Sequence, residues 1–275
     1  MSEEGVYFVM KCGEVKMIEW PKAVCNTTAY DPAVMVCDKG VLSYSFYDER
    51  DSIKYKAVVI GTQIWMAENL RYSGSAIAPV GVCYEGYNIS NPSVSADSVA
   101  KSCAKYGRMY RWATAMAFDS TCNSNYCANK IQAKHNGICP SGWHIPTANE
   151  WVILTDFAGG EETAGEKLKA TSGWNEWNKR VDGWVSSGTN SGQGGYDLPV
   201  SGGGTDDYGF SALPGGRGST ADYYSVGSCT EFWTSFEDAG SKTSANYRYV
   251  CSNSKGINSG SNDKSYFNSI RCVKD

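Results

Sequence analysis

Cysteine offers the most chemistry in this 275-residue sequence, which holds 11 cysteines and only 2 histidines. Zinc sites pair cysteines as C-x2-C or group them with histidines. The closest pair here, Cys122 and Cys127, has four residues between its members, and His135 and His144 stand apart. Disulfides explain the cysteines better than metal sites do, and they are typical of proteins outside the reducing cytosol. The odd number leaves at least one thiol free or shared with another chain.

The closest cysteine pair is also the best candidate for a redox centre. A reactive thiol needs an exposed, electropositive setting that lowers its pKa. Near Cys122 and Cys127, only Lys130, Lys134 and His135 supply positive charge in the sequence. We therefore expect a structural disulfide at this pair and keep redox catalysis as the alternative.

Nucleophilic catalysis finds little support in the residue spacing. Cys139 and His144 are five residues apart on an extended segment that contains Pro140, so one side chain is not aimed at the other. A serine hydrolase would need a positioned base, and the Gly-x-Ser-x-Gly turn of such enzymes is absent.

Acid-base and phosphate chemistry are no better indicated. No spacing selects a carboxylate pair for glycoside cleavage from Asp206, Asp207, Glu231 and Glu237. The glycine run 202–204 lacks the following lysine and helix that a phosphate-binding loop needs. We predict no catalytic residue.

Aromatic side chains favour a binding function. The sequence has 9 Trp, 18 Tyr and 8 Phe, and flat rings with a polar edge suit sugar or peptide surfaces at low cost in side-chain entropy. The candidate ligand-binding residues lie in the loop-rich half of the chain: Trp174, Trp177, Trp184, Tyr196, Tyr208, Tyr223 and Tyr224. The alternative is that these rings pack loops onto a sheet, because long loops need internal contacts to stay ordered.

Oxygen ligands for calcium are plentiful in the same half: Asp206, Asp207, Asn253, Asn258, Asn262 and Asp263. Calcium prefers such ligands. The Glu-Pro-Asn and Trp-Asn-Asp motifs of sugar-binding C-type lectins are absent, so calcium-dependent sugar binding is not indicated. We predict no cofactor and leave a structural calcium ion open.

The charge balance and hydropathy exclude some partners. The net charge of −4 gives no reason to expect nucleic acid or an acidic membrane surface. No stretch approaches the roughly 18 unbroken apolar residues of a membrane helix. The start, Met1-Ser2-Glu3-Glu4, lacks the regions of a secretion signal. An exported form would therefore be a mature chain or a fragment, and cytosolic residence stays open.

The elements that must position these residues begin with a small β segment over residues 1–50, which holds Cys12, Cys25 and Cys37. It is too short to hold much core alone. We place a domain boundary after it, so that the main domain covers residues 51–275. That domain opens with a hairpin, in which Gly61-Thr62 joins a strand at 55–60 to a strand at 63–66.

Capping signals predict helices in the middle of the chain. Helical pieces are expected at about 96–106, capped by Ser95, and at about 110–118. Thr147 with Glu150 has capping-box spacing, and Thr163 with Glu166 repeats it. Two consecutive helices should therefore lie mid-chain.

The C-terminal part mixes a glycine-rich stretch with strands. Residues 183–218 contain 12 glycines in 36 residues and show no helical or strand period, so we predict a long loop region. Strands are expected at 231–235, 247–251 and 266–273. Strands near both ends of one domain should pair, because an unpaired terminal strand leaves open backbone groups.

Five segments of the chain follow one another in a familiar order: Val59-Ile60-Gly61-Thr62-Gln63-Ile64-Trp65-Met66-Ala67-Glu68-Asn69-Leu70, Tyr106-Gly107-Arg108-Met109-Tyr110-Arg111-Trp112-Ala113, Cys139-Pro140-Ser141-Gly142-Trp143-His144-Ile145-Pro146-Thr147, Gly209-Phe210-Ser211-Ala212-Leu213-Pro214-Gly215-Gly216 and Ser269-Ile270-Arg271-Cys272-Val273. Together they resemble the Fibrobacter succinogenes major paralogous domain family, over about residues 52–275. The resemblance implies an α+β, C-type-lectin-like fold related to that of the sulfatase-modifying factors. The family is known mainly from exported and surface proteins of gut and rumen bacteria, and its name implies no activity. One departure is the segment 233–237, where members tend to read Trp-Ser-Ser, a hydroxyl residue and Glu.

The resemblance also implies two disulfides. In such a fold a bridge commonly ties the first helix region to the last strand, which here joins Cys139 to Cys272, and a second bridge joins Cys229 to Cys251. By proximity alone we add three further pairs, Cys83 with Cys103, Cys122 with Cys127, and Cys25 with Cys37, which leaves Cys12 odd. Sequence does not determine connectivity, so the five pairs are a ranked prediction.

The function we expect is display. The chain would be an exported or cell-surface, non-catalytic module, stapled by disulfides, whose loop surface binds a glycan or an envelope protein in adhesion. One alternative is an enzyme that resembles the sulfatase-modifying factors and uses Cys122 and Cys127. The other is a purely structural surface repeat.

Overall fold

A computed structural model describes residues 7–11, 14–18, 23–26, 28–30, 32, 34–75, 77–84, 95–187, 190–219 and 222–275. In the strands at 7–11, 14–18, 28–29, 178–187 and 190–199 only the backbone is described. Cys12 lies outside the described residues.

Short strands build the N-terminal part of the chain. They are β1 (Tyr7–Lys11), β2 (Glu14–Ile18), β3 (Ala23–Cys25), β4 (Thr28–Tyr30), β5 (Val36–Asp38), β6 (Val41–Tyr47), β7 (Lys54–Ile60), β8 (Gln63–Met66), β9 (Gly74–Ser75) and β10 (Ala78–Pro79). The hairpin predicted at β7 and β8 is confirmed, with Ile60 paired to Gln63. Gly61 turns the chain at a φ of 60°, a conformation that favours glycine. A Cβ at Gly61 would also lie 2.9 Å from the Phe157 ring.

Helices and short strands alternate in the middle of the chain. They are α1 (Ala96–Tyr106), β11 (Met109–Tyr110), α2 (Trp112–Ala115), β12 (Trp143–His144), α3 (Ala148–Phe157) and α4 (Ala164–Leu168), with 3₁₀ turns at Ser120–Asn123 and Ala128–Lys130. Ser95 caps α1, and Thr147 with Glu150 forms the predicted capping box of α3. The second capping box is wrong, because the Thr163 hydroxyl donates to the Gly159 carbonyl instead of capping α4.

The C-terminal part is richer in strands than its sequence predicts. Its strands are β13 (Trp177–Ser187), β14 (Asn190–Val200), β15 (Arg217–Gly218), β16 (Tyr223–Tyr224), β17 (Cys229–Glu237), β18 (Ser244–Cys251), β19 (Asn258–Asp263), β20 (Asn268–Ser269) and β21 (Val273–Lys274). The predicted loop is wrong over its first half, since β13 and β14 pair antiparallel from Trp177 and Val200 to Ser187 and Asn190. Glycine weakens the strand signal in a sequence but keeps both backbone groups that a ladder needs.

Two sheets carry the domain, one of six strands and one of five. The first has the order β12-β21-β8-β7-β6-β5, and the second has the order β11-β20-β17-β18-β19. Val273 of β21 pairs with Trp65 of β8, which confirms that strands from the two ends of the main domain meet. Strands β5 and β6, which precede residue 50, belong to the same sheet as β7.

The core divides between the two faces of these sheets because successive strand residues point in opposite directions. Met66, Trp233 and Cys272 belong to one buried cluster, together with Trp112 and Trp143. Their neighbours in sequence, Trp65, Phe232 and Val273, belong to the other, together with Trp151 and Phe210. Strands β8, β17 and β21 are therefore covered on both sides.

Disulfides tie distant parts of the chain together. The structure contains the same five pairs as the ranked prediction: Cys25–Cys37, Cys83–Cys103, Cys122–Cys127, Cys139–Cys272 and Cys229–Cys251. The Cys139–Cys272 bridge closes a ring with a sequence separation of 133. In the chain-entropy model a ring of that size stabilises the fold by at most about 4 to 5 kcal/mol.

Candidate binding surface

The aromatic residues predicted to bind a ligand are spread over several places. Trp174 is buried in a core cluster with the Lys169 ammonium over its ring, and Tyr208 packs on Phe157 with ring centres 5.5 Å apart. Trp177 is half-buried at the start of β13. Trp184 and Tyr196 lie in β13 and β14, and their side chains are outside the description.

Strand β16 holds the remaining two predicted residues, and they differ in setting. The Tyr223 hydroxyl donates to the Cys83 carbonyl at 2.6 Å, so this ring fastens β16 to the chain before α1. Tyr224 is 42% exposed. Of these two tyrosines, Tyr224 therefore offers the more open ring.

Tyr224 borders a tyrosine-rich face of the five-stranded sheet. The register pairs Glu231 of β17 with Tyr249 of β18, and Trp233 with Tyr247, so these four side chains share one face. Tyr247 and Tyr249 are half-buried, with ring centres 5.6 Å apart. We call the surface formed by Tyr224, Tyr247, Tyr249 and Tyr266, with Arg217 and Glu231 among them, the tyrosine face.

A glycine on β19 lets one of these rings lie across the sheet. Gly260 pairs with Tyr247, and a Cβ at Gly260 would stand 2.8 Å from the Tyr247 ring and hydroxyl atoms. On its other side the Tyr247 ring packs edge-on against buried Trp233, at 6.4 Å and 90°. The position of this ring is thus set by the sheet beneath it.

Arg217 links the strands of the tyrosine face. Its guanidinium lies 5.7 Å from the ring centre of Tyr224 and 5.8 Å from that of Tyr266. The Nη1 atom donates to Glu231 Oε1 at 3.0 Å, and Asn262 donates to Glu231 Oε2 at 3.4 Å. A planar cation that is near two rings and paired with a carboxylate loses little further entropy when a ligand binds.

Burial alters the titration of this surface. It raises the pKa of the Glu231 carboxyl above its ordinary value, although the charge of Arg217 acts against the shift. Burial, assisted by the negative charge of Glu231, also raises the pKa of the Tyr247 hydroxyl. At neutral pH this tyrosine hydroxyl therefore remains able to donate a hydrogen bond.

The redox candidate has a different environment. Cys122 is 0% exposed and Cys127 is 4% exposed, and the two are bonded to each other. The Glu237 carboxylate accepts hydrogen bonds from the backbone N–H groups of Cys127 and Ala128, and it forms an ion pair with the fully buried Lys264. Glu237, the last residue of segment 233–237, therefore holds the loop closed by the Cys122–Cys127 disulfide in place.

The histidine candidate is also engaged in structural contacts. Cys139 is bridged to Cys272. His144 is buried, with Nε2 2.7 Å from Glu150 Oε1 and Nδ1 2.7 Å from Asp275 Oδ1. It therefore joins β12 to the start of α3 and to Asp275.

Three of the four carboxylates considered for glycoside cleavage are held by neighbours, and the fourth, Asp207, is exposed. Asp206 accepts from the Ser211 amide and hydroxyl at 2.7 and 2.5 Å, whereas Glu231 pairs with Arg217 and Glu237 with Lys264. In the described ranges, no three His, Cys, Asp or Glu side chains come together in a way that could hold a metal ion.

Sequence reasoning missed most of the tyrosine face. Tyr247, Tyr249, Tyr266 and Arg217 were not among the predicted ligand-binding residues, and Glu231 was considered only for catalysis. A usable signal was present, because Tyr247 and Tyr249 alternate with buried Arg248 and Val250 at the period of a strand. Arg217 of β15 and Tyr224 of β16 complete the tyrosine face, and these two-residue strands carry no such local signal.

Fold and site together define a disulfide-tied α+β domain with an aromatic surface on one sheet. Among the residues that the structure describes, no helix has the length and apolar character needed to cross a bilayer. The family model of the Fibrobacter succinogenes major domain matches residues 58–274, well over half of the chain. The chain therefore belongs to this family. No curated protein and no solved structure is similar enough to match it.

Proposed function

We propose that this domain is an exported or cell-surface, non-catalytic module that binds a glycan or an envelope protein through its tyrosine face. The observation that carries the proposal is the position of Arg217 between Tyr224 and Tyr266, beside the paired rings of Tyr247 and Tyr249. Aromatic faces with polar edges stack on sugar rings and on peptide groups. The surface also offers Glu231 and Arg217 as hydrogen-bonding groups.

The disulfides support the export part of the proposal. Bonds of this kind form and persist in oxidising compartments and are rare in the cytosol. One of them, Cys229–Cys251, joins β17 to β18 at a directly paired position of the tyrosine face. An adhesive surface that meets the environment outside the cell benefits from such rigidity.

The proposal includes a finer description of the fold as C-type-lectin-like. The meeting of strands from both ends of the domain, the two consecutive helices α3 and α4, and the long-range Cys139–Cys272 bridge support it. In this description the tyrosine face combines residues of β17 and β18, in the five-stranded sheet, with Arg217 of β15, Tyr224 of β16 and Tyr266.

Screening on a glycan array and on envelope extracts tests the proposal. We expect a ligand that binds the native domain and is lost, by about tenfold or more in affinity, when Tyr224 and Tyr249 are both replaced by alanine. Tyr47→Ala is the matched control, since Tyr47 is a 62% exposed tyrosine of β6, in the other sheet. Equal loss in both variants, or no loss in either, would refute the assignment.

A domain without any ligand in these screens would support the structural-repeat alternative instead. The redox alternative is tested by thiol titration of the native chain. The burial of Cys122 and Cys127 predicts a pair that resists dithiothreitol until the domain unfolds. Rapid reduction of this pair in the folded protein would favour the enzyme.

A further inference from the structure

A second site, separate from the tyrosine face, is suggested by a cleft of about 290 Å³ beside β7 and β8. Four of the five segments that carry the family resemblance contribute to its lining, through Asn69, Gly107, Ser211 and Arg271 among others. The volume is close to the lower limit of small-molecule sites, about 300 Å³. It suits a single small group rather than an extended chain.

Arg271 stands at the buried side of this cleft and is 1% exposed. Its Nε and Nη2 atoms donate to Asn69 Oδ1 at 3.0 and 2.6 Å, and Nη1 donates to the carbonyls of Phe210 and Met66. These acceptors are all neutral. A guanidinium has five N–H donors, and within the described residues one hydrogen of Nη2 has no acceptor.

Among the described residues, no carboxylate is in contact with the buried charge of Arg271. In the described part of the chain Arg271 forms no ion pair, and its closest negative charges are Glu68 and Asp206, which act at a distance. Burial lowers the pKa of Arg271 to about 9, as expected for a cation that lacks a counter-charge. Buried cations are costly when they are unpaired.

The rest of the cleft is also positive. Lys56, Arg71 and Lys105 line it, and Glu68 is the carboxylate among the lining residues. Glu68 is already engaged by the Lys56 amide at 2.8 Å and by Arg71 Nη1 at 3.4 Å. Lys56 and Lys105 are exposed at the cleft, and no described residue forms an ion pair with either side chain.

We propose that this cleft binds a small oxyanion, a carboxylate or a sulfate group, between Lys56, Lys105 and Arg271. The anion would neutralise Arg271, and its oxygen atoms would accept from the free guanidinium hydrogen and from the two ammonium groups. Charge-assisted hydrogen bonds of this type are the stronger ones in proteins. The cleft shares no residue with the tyrosine face, so this inference does not depend on the proposed function.

Isothermal titration at low, constant ionic strength tests the inference with three probes: sodium sulfate, sodium glucuronate and neutral glucose. We expect at least one of the two anions to bind saturably at one site and glucose not to bind. Which anion binds tells whether the group is a sulfate or a carboxylate. In the wild-type protein, the Arg271 Nε–H resonance should shift on addition of that anion.

A matched pair of double variants locates the site. Lys56→Gln with Lys105→Gln removes two cations from the cleft, and we expect the affinity to fall about tenfold. Lys54→Gln with Lys101→Gln removes the same charge from the same elements, β7 and α1, outside the lining of the cleft. This control should change the affinity less than twofold. All four lysines are exposed, so the fold is kept, which circular dichroism checks.

Three results would overturn the inference. They are the absence of saturable binding for both anions, equal losses in the two double variants, and binding of glucose as tight as that of the anions. Because the tyrosine face is tested by Tyr224 and Tyr249 variants, failure of one proposal does not depend on failure of the other.

Discussion

Lys264 and Arg271 are both buried cations near the C-terminal end of the chain, but their surroundings differ. Lys264 pairs with the buried Glu237 carboxylate and also donates to the carbonyls of Asn125 and Lys242. Among the described residues Arg271 donates to neutral acceptors, lies over the Phe210 ring at 4.4 Å and borders a cleft. Both cations make contacts that hold the fold, but the Lys264 charge is paired with a carboxylate, whereas the Arg271 charge has no carboxylate partner among the described residues.

We expect the largest loss of stability when the buried ion pair of Lys264 and Glu237 is broken. Replacing Lys264 with methionine leaves the Glu237 carboxylate buried without a cation, so we expect the free energy of unfolding to fall by about 3 to 5 kcal/mol. Urea denaturation followed by tryptophan fluorescence measures it. The control Lys242→Met changes an exposed side chain nearby and should stay within about 0.5 kcal/mol of wild type.

A double variant shows whether the loss comes from the uncompensated charge. Adding Glu237→Gln to Lys264→Met removes the charge but keeps an oxygen for the N–H groups of Cys127 and Ala128. We expect the double variant to be more stable than the single one. If it is less stable, desolvated charge is not the cause.

A smaller effect is expected at the unpaired site. Arg271→Met leaves the neutral acceptors on Asn69, Phe210 and Met66 without this donor, but it also removes the cost of burying an unpaired cation, so we expect a net loss of about 1 to 3 kcal/mol in the same assay. A loss as large as that of Lys264→Met would contradict the distinction between the two cations.

The smallest effect concerns pH and a third buried group, His144. Burial lowers its pKa, but the hydrogen bonds and charges of Glu150 and Asp275 outweigh burial and leave the pKa above the ordinary 6.5. The stabilisation by this cation is therefore fully present below pH 6.5 and is lost as the pH rises through the folded-state pKa. Burial raises the pKa of Glu150, but the contacts with His144 and Thr147 outweigh burial and leave this pKa below its ordinary 4.5, so the carboxylate's contribution is lost only as the pH falls below 4.5 through the folded-state pKa.

Unfolding free energies measured from pH 5.5 to 9 check this prediction. Titration of a single proton changes the free energy of unfolding by at most about 1.4 kcal/mol per pH unit. This pH dependence should disappear in His144→Gln, whose side chain cannot be protonated. An unchanged slope in this variant would show that His144 is not the titrating group.

Local elements of this fold were predictable because their signals lie within a few residues. The β7–β8 hairpin depends on Gly61, and the start of α3 depends on Thr147 and Glu150, three residues apart. The disulfides could be predicted in two ways: three pairs from their proximity in the sequence and two from the family resemblance. The glycine-rich pair β13 and β14 was missed, since its ladder comes from backbone groups that every residue type carries.

By itself, the sequence determined the helices and strands whose signals lie within a few residues. It also indicated that the cysteines form disulfides and that the chain belongs to its family. Only the tertiary structure decided which charges are paired. Arg271 and Asn69 are 202 residues apart and Lys264 and Glu237 are 27 apart, and no local pattern tells which buried cation receives a carboxylate. Side-chain propensities act between near neighbours, whereas the burial and pairing of charge are set by the packing of the whole chain.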